Sequence, residues 1–152
     1  MNKISIRRME VRDVPQVLEV EKASFTTPWT TDIFYHELTD NRHAHYYVVD
    51  IDDRIVGYAG MWVVIDEAQI TNIAIHPEFR GYKLGEKLFQ HMLLIAVKLG
   101  SVRLSLEVRV SNLVAQKMYR KFGLVPGGIR KNYYTDNQED AIVMWVSFND
   151  ER

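Results

Sequence analysis

Residues 70–85 read Ile70-Thr71-Asn72-Ile73-Ala74-Ile75-His76-Pro77-Glu78-Phe79-Arg80-Gly81-Tyr82-Lys83-Leu84-Gly85, and this stretch sets the architecture. Ile70, Thr71, Ile73 and Ile75 are β-branched and Pro77 discourages continuation, so the stretch opens as a strand that closes at His76. Beyond the Arg80–Gly85 loop, Leu84, Leu88, Met92, Ile95, Ala96 and Leu99 recur on one face of a long amphipathic helix, which Gly100 stops. Val102, Leu104, Leu106 and Val108 then alternate with Arg103, Ser105, Glu107 and Arg109, the period of two that marks a strand. Strand, helix and strand in this order predict a right-handed crossover between parallel neighbours.

Working towards the N-terminus, Asp66-Glu67 separates this unit from two more strands, around Tyr46–Val49 and Ile55–Ile65, joined by the polar turn Asp52-Asp53-Arg54. Before them Thr30 or Thr31 caps a short helix holding Ile33, Phe34 and Leu38. Asp13 caps another, with Pro15 in its first turn and Val14, Val17, Leu18 and Ala23 at helical spacing up to Phe25. Thr26-Thr27-Pro28-Trp29 forms the loop between them and leaves Trp29 exposed. Met1 to Arg8 alternates apolar and polar residues as a first strand. Towards the C-terminus, Ser111 or Asn112 caps a helix reaching Phe122, closed by Gly123. Leu124–Arg130 and Asp140–Phe148 read as two last strands around a polar loop that carries Tyr133 and Tyr134. The expected fold is an α/β mixed sheet in the order β-α-α-β-β-β-α-β-α-β-β. With no repeat or linker-like run, residues 1–152 read as one domain.

Composition removes several kinds of chemistry. The absence of cysteine excludes a disulfide framework, a thiolate nucleophile and Cys-ligated metal. Ile55–Ile65, free of charge but holding two glycines, falls far short of the ~20 apolar residues that span a bilayer. The alternating N-terminus lacks the continuous apolar core of a signal peptide, so a cytoplasmic location is expected. Net charge is −1, which speaks against nonspecific nucleic-acid binding. Its distribution is uneven: residues 1–76 carry 7 Lys/Arg against 12 Asp/Glu, and residues 77–152 carry 12 against 8. The second half suits an anionic ligand and the first a cationic one, or both are solvated surface.

Three places invite chemistry. The Arg80–Gly85 loop leads into a helix whose N-terminal N–H groups and dipole favour a phosphate, yet it matches neither the P-loop nor the dinucleotide fingerprint, and its glycines also serve a simple turn. Glu107 sits on the polar side of its strand near the end from which the next helix departs, where ligands of α/β sheets bind and where a merely solvated carboxylate is equally at home. Tyr119 shares a helix face with Ala115 and Phe122, as a core residue would. His36, His43, His45, His76 and His91 have no metal-helix spacing, although His43 and His45 can share a strand face, so no metal is expected. Gly-x-Ser-x-Gly is absent, which removes serine hydrolysis of that type.

Taken in register, Phe25-Thr26-Thr27-Pro28-Trp29, Asp66-Glu67-Ala68, Asn72-Ile73-Ala74-Ile75, Leu106-Glu107-Val108-Arg109-Val110-Ser111-Asn112, Arg130-Lys131-Asn132-Tyr133-Tyr134 and Glu139-Asp140-Ala141 resemble the GCN5-related N-acetyltransferase (GNAT) family over nearly the whole chain. Within that family they look like the bacterial RimI branch, whose members acetylate the N-terminal alanine of small-subunit ribosomal protein eighteen. The resemblance implies acetyl-CoA as cosubstrate, its pantetheine arm lying like an added strand against the backbone of Ile73, Ala74 and Ile75. The loop Gly81, Tyr82, Lys83, Leu84, Gly85 and Glu86, with Arg80 before it, would receive the pyrophosphate. The family pattern there is Arg or Gln, two residues, Gly, one residue, then Gly or Ala. Arg80 and Gly85 match it, while Lys83 replaces the middle glycine. A right-handed helical Lys83 would need no glycine and would turn a cation towards phosphate.

By the same resemblance Glu107 is the general base, Tyr119 the general acid and Asn112 a cofactor contact, with Trp29, Tyr133 and Tyr134 flanking the peptide entrance or packing its edge. An α-amino group with a pKa of about 7.7–8.0 must shed a proton before it attacks a thioester. The apolar neighbours Leu106 and Val108 are expected to desolvate Glu107 and raise its pKa for that task. The expected enzyme is a monomer that attacks directly, without an acyl-enzyme and without nucleic acid or membrane as partner. Rival readings are an acetyltransferase of the same fold acting on lysine or a small amine, and a non-catalytic CoA-binding module.

Overall fold

The chain follows the expected order: β1 (Ile4–Arg8), α1 (Val14–Ser24), α2 (Thr31–Thr39), β2 (Ala44–Ile51), β3 (Arg54–Val64), β4 (Glu67–Ile75), α3 (Leu84–Lys98), β5 (Arg103–Arg109), α4 (Leu113–Lys121), β6 (Val125–Arg130) and β7 (Ala141–Ser147). The structure is a computed structural model that describes residues 3–148; Met1 and Asn2 of the expected first strand lie outside the described residues. The strands form one sheet ordered β1-β2-β3-β4-β5-β7-β6. Only β4 and β5 pair in parallel, through the α3 crossover. The expectation that every strand–helix–strand link yields parallel neighbours therefore fails twice. Two helices intervene between β1 and β2, which brings the chain back antiparallel, and β7 inserts between β5 and β6.

Helices α1 and α2 cover one face of the sheet, where Val14, Val17, Val20 and Phe34 pack on Tyr46, Val48 and Tyr58. Helix α3 and Tyr119 of α4 cover the other, where Leu84, Leu88, Phe89 and Met92 meet Met61, Ile70, Leu104 and Leu106. Local chemistry accounts for most element ends. Asp52 and Asp53 both take positive φ in the β2–β3 turn, the geometry of a tight hairpin. Thr30 Oγ1 accepts from Ile33 N–H at the start of α2, and Asn112 Oδ1, not Ser111, accepts from Ala115 N–H at the start of α4. Asp13 precedes α1 but does not cap it, because its carboxylate takes Arg7 NH1 and NH2 at 2.8 and 2.9 Å and the N–H of Glu10. Several expected core positions turn outward: Ala23, Ile33, Val102 and Leu99 are exposed, while Glu21 of α1 is buried beside Val14, Val17 and Val20.

The feature that makes the site is a split in the middle of the sheet. β4 and β5 pair only from Glu67↔Arg103 to Gln69↔Ser105 and then diverge. The divergence begins where β4 bulges at Thr71 opposite Gly60/Met61. Gly60 is required at that bulge, since a Cβ there would lie 2.2 Å from the Tyr46 ring and 2.8 Å from Asn72 Oδ1. His76 N–H donates to Val56 C=O on the β3 side, so by strand alternation Ile75 and Ile73 turn their backbone groups into the split while Ala74 turns its own to β3.

Two half-buried histidines give the fold a pH dependence. His45 Nδ1 and His91 Nε2 are buried without a hydrogen-bond partner, and burial, aided by Arg8 and His43 for one and Lys98 for the other, lowers both pKa values. The unfolded chain protonates them near pH 6.5, before the folded chain does. Their contribution is therefore constant above that pH, and stability falls as pH drops below it. Urea midpoints are expected to decline from pH 7.5 to 5.5, with a shallower decline in His91→Gln; an equal slope in that variant would remove His91 as a cause.

Candidate functional site

Two cavities flank the split and share Phe25, Ile73, Asn112 and Tyr119 as a common wall. The larger, about 870 Å³, runs between the end of β4, the loop before α3 and the exposed side of α4. The smaller, about 270 Å³, lies between the α1–α2 loop, the bulge of β4, the end of β5 and the β6–β7 loop. Their charges differ. Arg80, Lys83, Lys117 and Lys121 line the first against a single carboxylate, Glu86, whereas Glu21 and Glu107 line the second with Arg109.

The larger groove has the chemistry of a site for an extended anion. Leu84, Gly85 and Glu86 form the first turn of α3, so their N–H groups have no carbonyl within the helix, and Lys87 N–H is the one that bonds back to Lys83 C=O. A Cβ on Gly85 would enter the groove, with Ile75 Cγ1 at 3.8 Å and Met118 Sδ at 3.9 Å as its neighbours, so glycine leaves room there for a ligand. Arg80 acts as a brace: its Nε donates to Ile75 C=O at 2.9 Å and NH2 to Ser24 Oγ at 3.3 Å. Glu86 is neutralised by Lys121 Nζ at 2.9 Å, which with the nearby Lys83 holds its carboxyl below the usual range. Tyr82 points away, is 69% exposed and does not line the groove.

Lys83 departs from expectation. It adopts φ 61° and ψ 24°, the left-handed conformation, and not the right-handed one in which glycine would be dispensable. The backbone of the loop thus keeps the shape a glycine would give it and carries a side-chain penalty of about 1–2 kcal/mol. Lys83→Gly is expected to raise stability by about 0.5–1 kcal/mol after the larger chain entropy of glycine in the unfolded state is subtracted. Thermal unfolding checks this; a lower midpoint would show that the lysine side chain stabilises the loop in some other way.

In the smaller cavity Glu107 stands on β5 with its side chain 11% exposed. The alternation of β5 sends the side chains of Leu106 and Val108 into the core on the opposite face, although both residues border the same cavity as the Glu107 carboxylate. Its neighbours are polar. Arg130 Nε donates to Oε2 at 3.0 Å, and Gln69 Nε2 reaches Oε1 at 3.4 Å. Tyr119 is 5% exposed and packs on Phe89 with ring centroids 5.0 Å apart. Burial first, and Tyr134 second, push its phenol well above the ordinary range, so it stays protonated at neutral pH.

The loops at the entrance are tied to each other. Arg109 lies 4.0 Å from the Tyr134 ring centroid and pairs with Asp136 and Glu139. Asp136 also accepts from Thr26 Oγ1, joining the β6–β7 loop to the α1–α2 loop, and Glu139 accepts from Ser111 N–H. The bonds from Ser111, with Arg109, pull the Glu139 pKa down to about 2. Tyr134 lines the cavity, but Tyr133 does not; its ring packs edge-on against Tyr134 at 5.1 Å. Trp29, expected to be exposed, is half-buried against Phe34 at 5.3 Å and still lines the cavity. Glu21, Gln69, Asn72 and Arg130 also belong to the site and escape a reading of sequence. For Glu21 one signal exists, a carboxylate on the apolar face of a helix. Among the described residues no group of three or more His, Asp or Glu could hold a metal ion.

Residues 14–124 match the model of the acetyltransferase (GNAT) family. A Bacillus subtilis (strain 168) protein provisionally named as a ribosomal protein bS18-alanine N-acetyltransferase is 56% identical over 148 residues, covering 97% of this chain and 98% of its own. The ribosomal protein bS18-alanine N-acetyltransferase of Salmonella typhimurium is 36% identical over 148 residues, with 95% and 96% covered. The crystal structure of the ribosomal-protein-S18-alanine N-acetyltransferase from Escherichia coli superposes with a TM-score of 0.88 at 32% identity, over 100% of this chain and 97% of that one. A sheet split between β4 and β5, a loop of free N–H groups beside it and a family match across both place the chain in the GNAT family, as an acetyltransferase that draws its acetyl group from acetyl-CoA.

Proposed function

We propose that this acetyltransferase modifies the α-amino group of a protein N-terminus, with the N-terminal alanine of ribosomal protein bS18 as acceptor, Glu107 as general base and Tyr119 as general acid. One observation carries the reading: a cationic groove and a carboxylate-lined cavity meet at Tyr119 and Asn112, with Glu107 on the acceptor side of that wall. The names of the relatives from Salmonella and Escherichia coli support the acceptor. The same reading takes residues 1–152 as one N-acetyltransferase domain.

Acetyl-CoA supplies an activated acetyl thioester. The N–H groups of Leu84, Gly85 and Glu86 and the cations of Lys83 and Lys117 hold its phosphates, and the backbone of Ile73 and Ile75 guides the pantetheine arm through the split. On the acceptor side Arg130 occupies Oε2 of Glu107, which leaves Oε1, with its single long contact to Gln69, to take the proton from the α-ammonium. The neutral amine then attacks the thioester carbon directly, the C–N bond forming as the C–S bond breaks, and the nitrogen sheds its second proton to solvent. Tyr119, fully protonated and at the common wall, gives its proton to the departing sulfur. The free carboxamide nitrogen of Asn112, whose oxygen is engaged in capping α4, is left to contact the cofactor. Trp29 and Tyr134 line the cavity that receives the first residue of the acceptor in this reading.

Incubation with acetyl-CoA and peptides beginning with alanine, serine or methionine, beside an N-blocked peptide with an internal lysine, tests this by mass spectrometry of the products. Acetylation of free N-terminal alanine in preference to the others is expected. Modification of the lysine peptide alone would overturn the acceptor while leaving the family and cofactor in place.

A further inference from the structure

Of the buried carboxylates Asp13, Glu21, Glu37 and Asp50, none of which this chemistry uses, Glu21 lines the acceptor cavity. It lies in the last turn of α1, on the face that packs against the sheet, and is 3% exposed. Its two oxygens have different partners. Oε2 accepts the backbone N–H of Trp29 at 2.8 Å, and Oε1 accepts the hydroxyl of Tyr58. That hydroxyl accepts in turn from Asn72 Nδ2 at 2.8 Å, and Asn72 Oδ1 accepts from Thr71 Oγ1 at 2.7 Å. Thr71 is the bulged residue of β4. One carboxylate therefore joins the α1–α2 loop, which forms one wall of the acceptor cavity, to the bulge of β4, which forms another. Glu21, Trp29, Thr71 and Asn72 all line that cavity.

We propose that Glu21 is a positioning residue for the acyl acceptor: by pinning Trp29 to the bulge of β4 it sets the depth of the cavity and so which first residue is accepted. The proposal rests on the acceptor reading above. Burial raises the Glu21 pKa and the bonds from Tyr58 and Trp29 oppose that rise, so the group is held at a cost that an apolar residue on this face would not incur. What an apolar residue could not do is hold two donors that arrive from separate elements. Among the described residues no other side chain hydrogen-bonds Trp29; its ring packs on Phe34 and Tyr46 at 5.3 and 6.5 Å.

The test uses Glu21→Gln, which keeps shape but offers one acceptor oxygen to two donors, and Tyr58→Phe, which removes one donor and keeps the ring. For each variant kcat and KM are measured on alanine- and serine-initiated peptides, with the acetyl-CoA Kd measured separately. Loss of one charge-assisted bond at the cavity wall is expected to raise the KM of the alanine peptide about tenfold and to lower the alanine-to-serine ratio of kcat/KM by a similar factor. Acetyl-CoA Kd is expected to stay within about twofold, because the groove that holds it lies beyond the common wall. An unchanged ratio overturns the proposal, whether activity is intact or falls together with acetyl-CoA affinity, the latter being the signature of a merely structural carboxylate. If Glu21→Gln does not fold, Tyr58→Phe carries the same expectation and the same refutation. Should the wild-type protein prefer another acceptor, the alanine reading fails by itself, and the selectivity ratio is then read between that acceptor and its nearest homologue.

Discussion

Replacing Glu107 by Gln is expected to lower kcat for N-terminal acetylation about 10²–10⁴-fold, the range that general-base assistance contributes. Gln keeps the volume and an oxygen that can still accept from Arg130 Nε, so the wall of the cavity and the Arg130 contact survive while the proton acceptor is lost. Acetyl-CoA affinity should hold within about twofold, since the change removes an interaction made at the reacting amine and none made with the bound cofactor. The defect should also shrink with rising pH. Above a pH of about 8 most α-amine is already neutral and no longer needs a base. Steady-state rates at pH 7 and pH 9 read this directly. Wild-type turnover, or a defect of constant size across that interval, would remove Glu107 from proton transfer.

For Tyr119→Phe the expected loss in kcat is about 10–10³-fold, smaller because water can reach a departing thiolate more easily than a base can be replaced. The ring stays packed on Phe89, so the variant should unfold within about 1 kcal/mol of the wild type. The raised phenol pKa bears on the pH profile. Tyr119 stays protonated through mildly alkaline solution, so no loss of activity from its ionisation should appear between pH 7 and pH 9. Comparing acetyl-CoA with a thioester whose leaving thiol is more acidic separates the roles. The better leaving group should recover much of the Tyr119→Phe defect and little of the Glu107→Gln defect. Equal recovery in both would overturn the division of labour between them.

Much of this is legible in the sequence. Element order followed from period, caps and glycines, because each element is specified within its own dozen residues. Strand neighbours were less legible. β1 and β2 pair antiparallel across two helices, and β7 inserts between β5 and β6, since pairing depends on which edges remain free once the helices have covered the faces. Lys83 shows the same limit at one residue: its sequence position marks a departure from glycine, but only the fold reveals that the loop imposes φ 61° on it regardless. Neighbours in a strand turn to opposite faces, so the hydrogen-bond partners of Glu107 are Gln69 and Arg130, which are distant in sequence.

By itself the sequence determined the number and order of helices and strands, the absence of cysteine chemistry, and, through the register of six short strings, the family and its cosubstrate. Those properties are local or additive along the chain. Tertiary structure alone decided where the sheet splits, that Tyr119 and Asn112 form a wall between a cationic and a carboxylate-lined cavity, and that Glu21 joins two sides of one of them. A cavity belongs to no single segment; it is the space left when elements of different length and twist pack on a sheet whose fourth strand bulges at one residue.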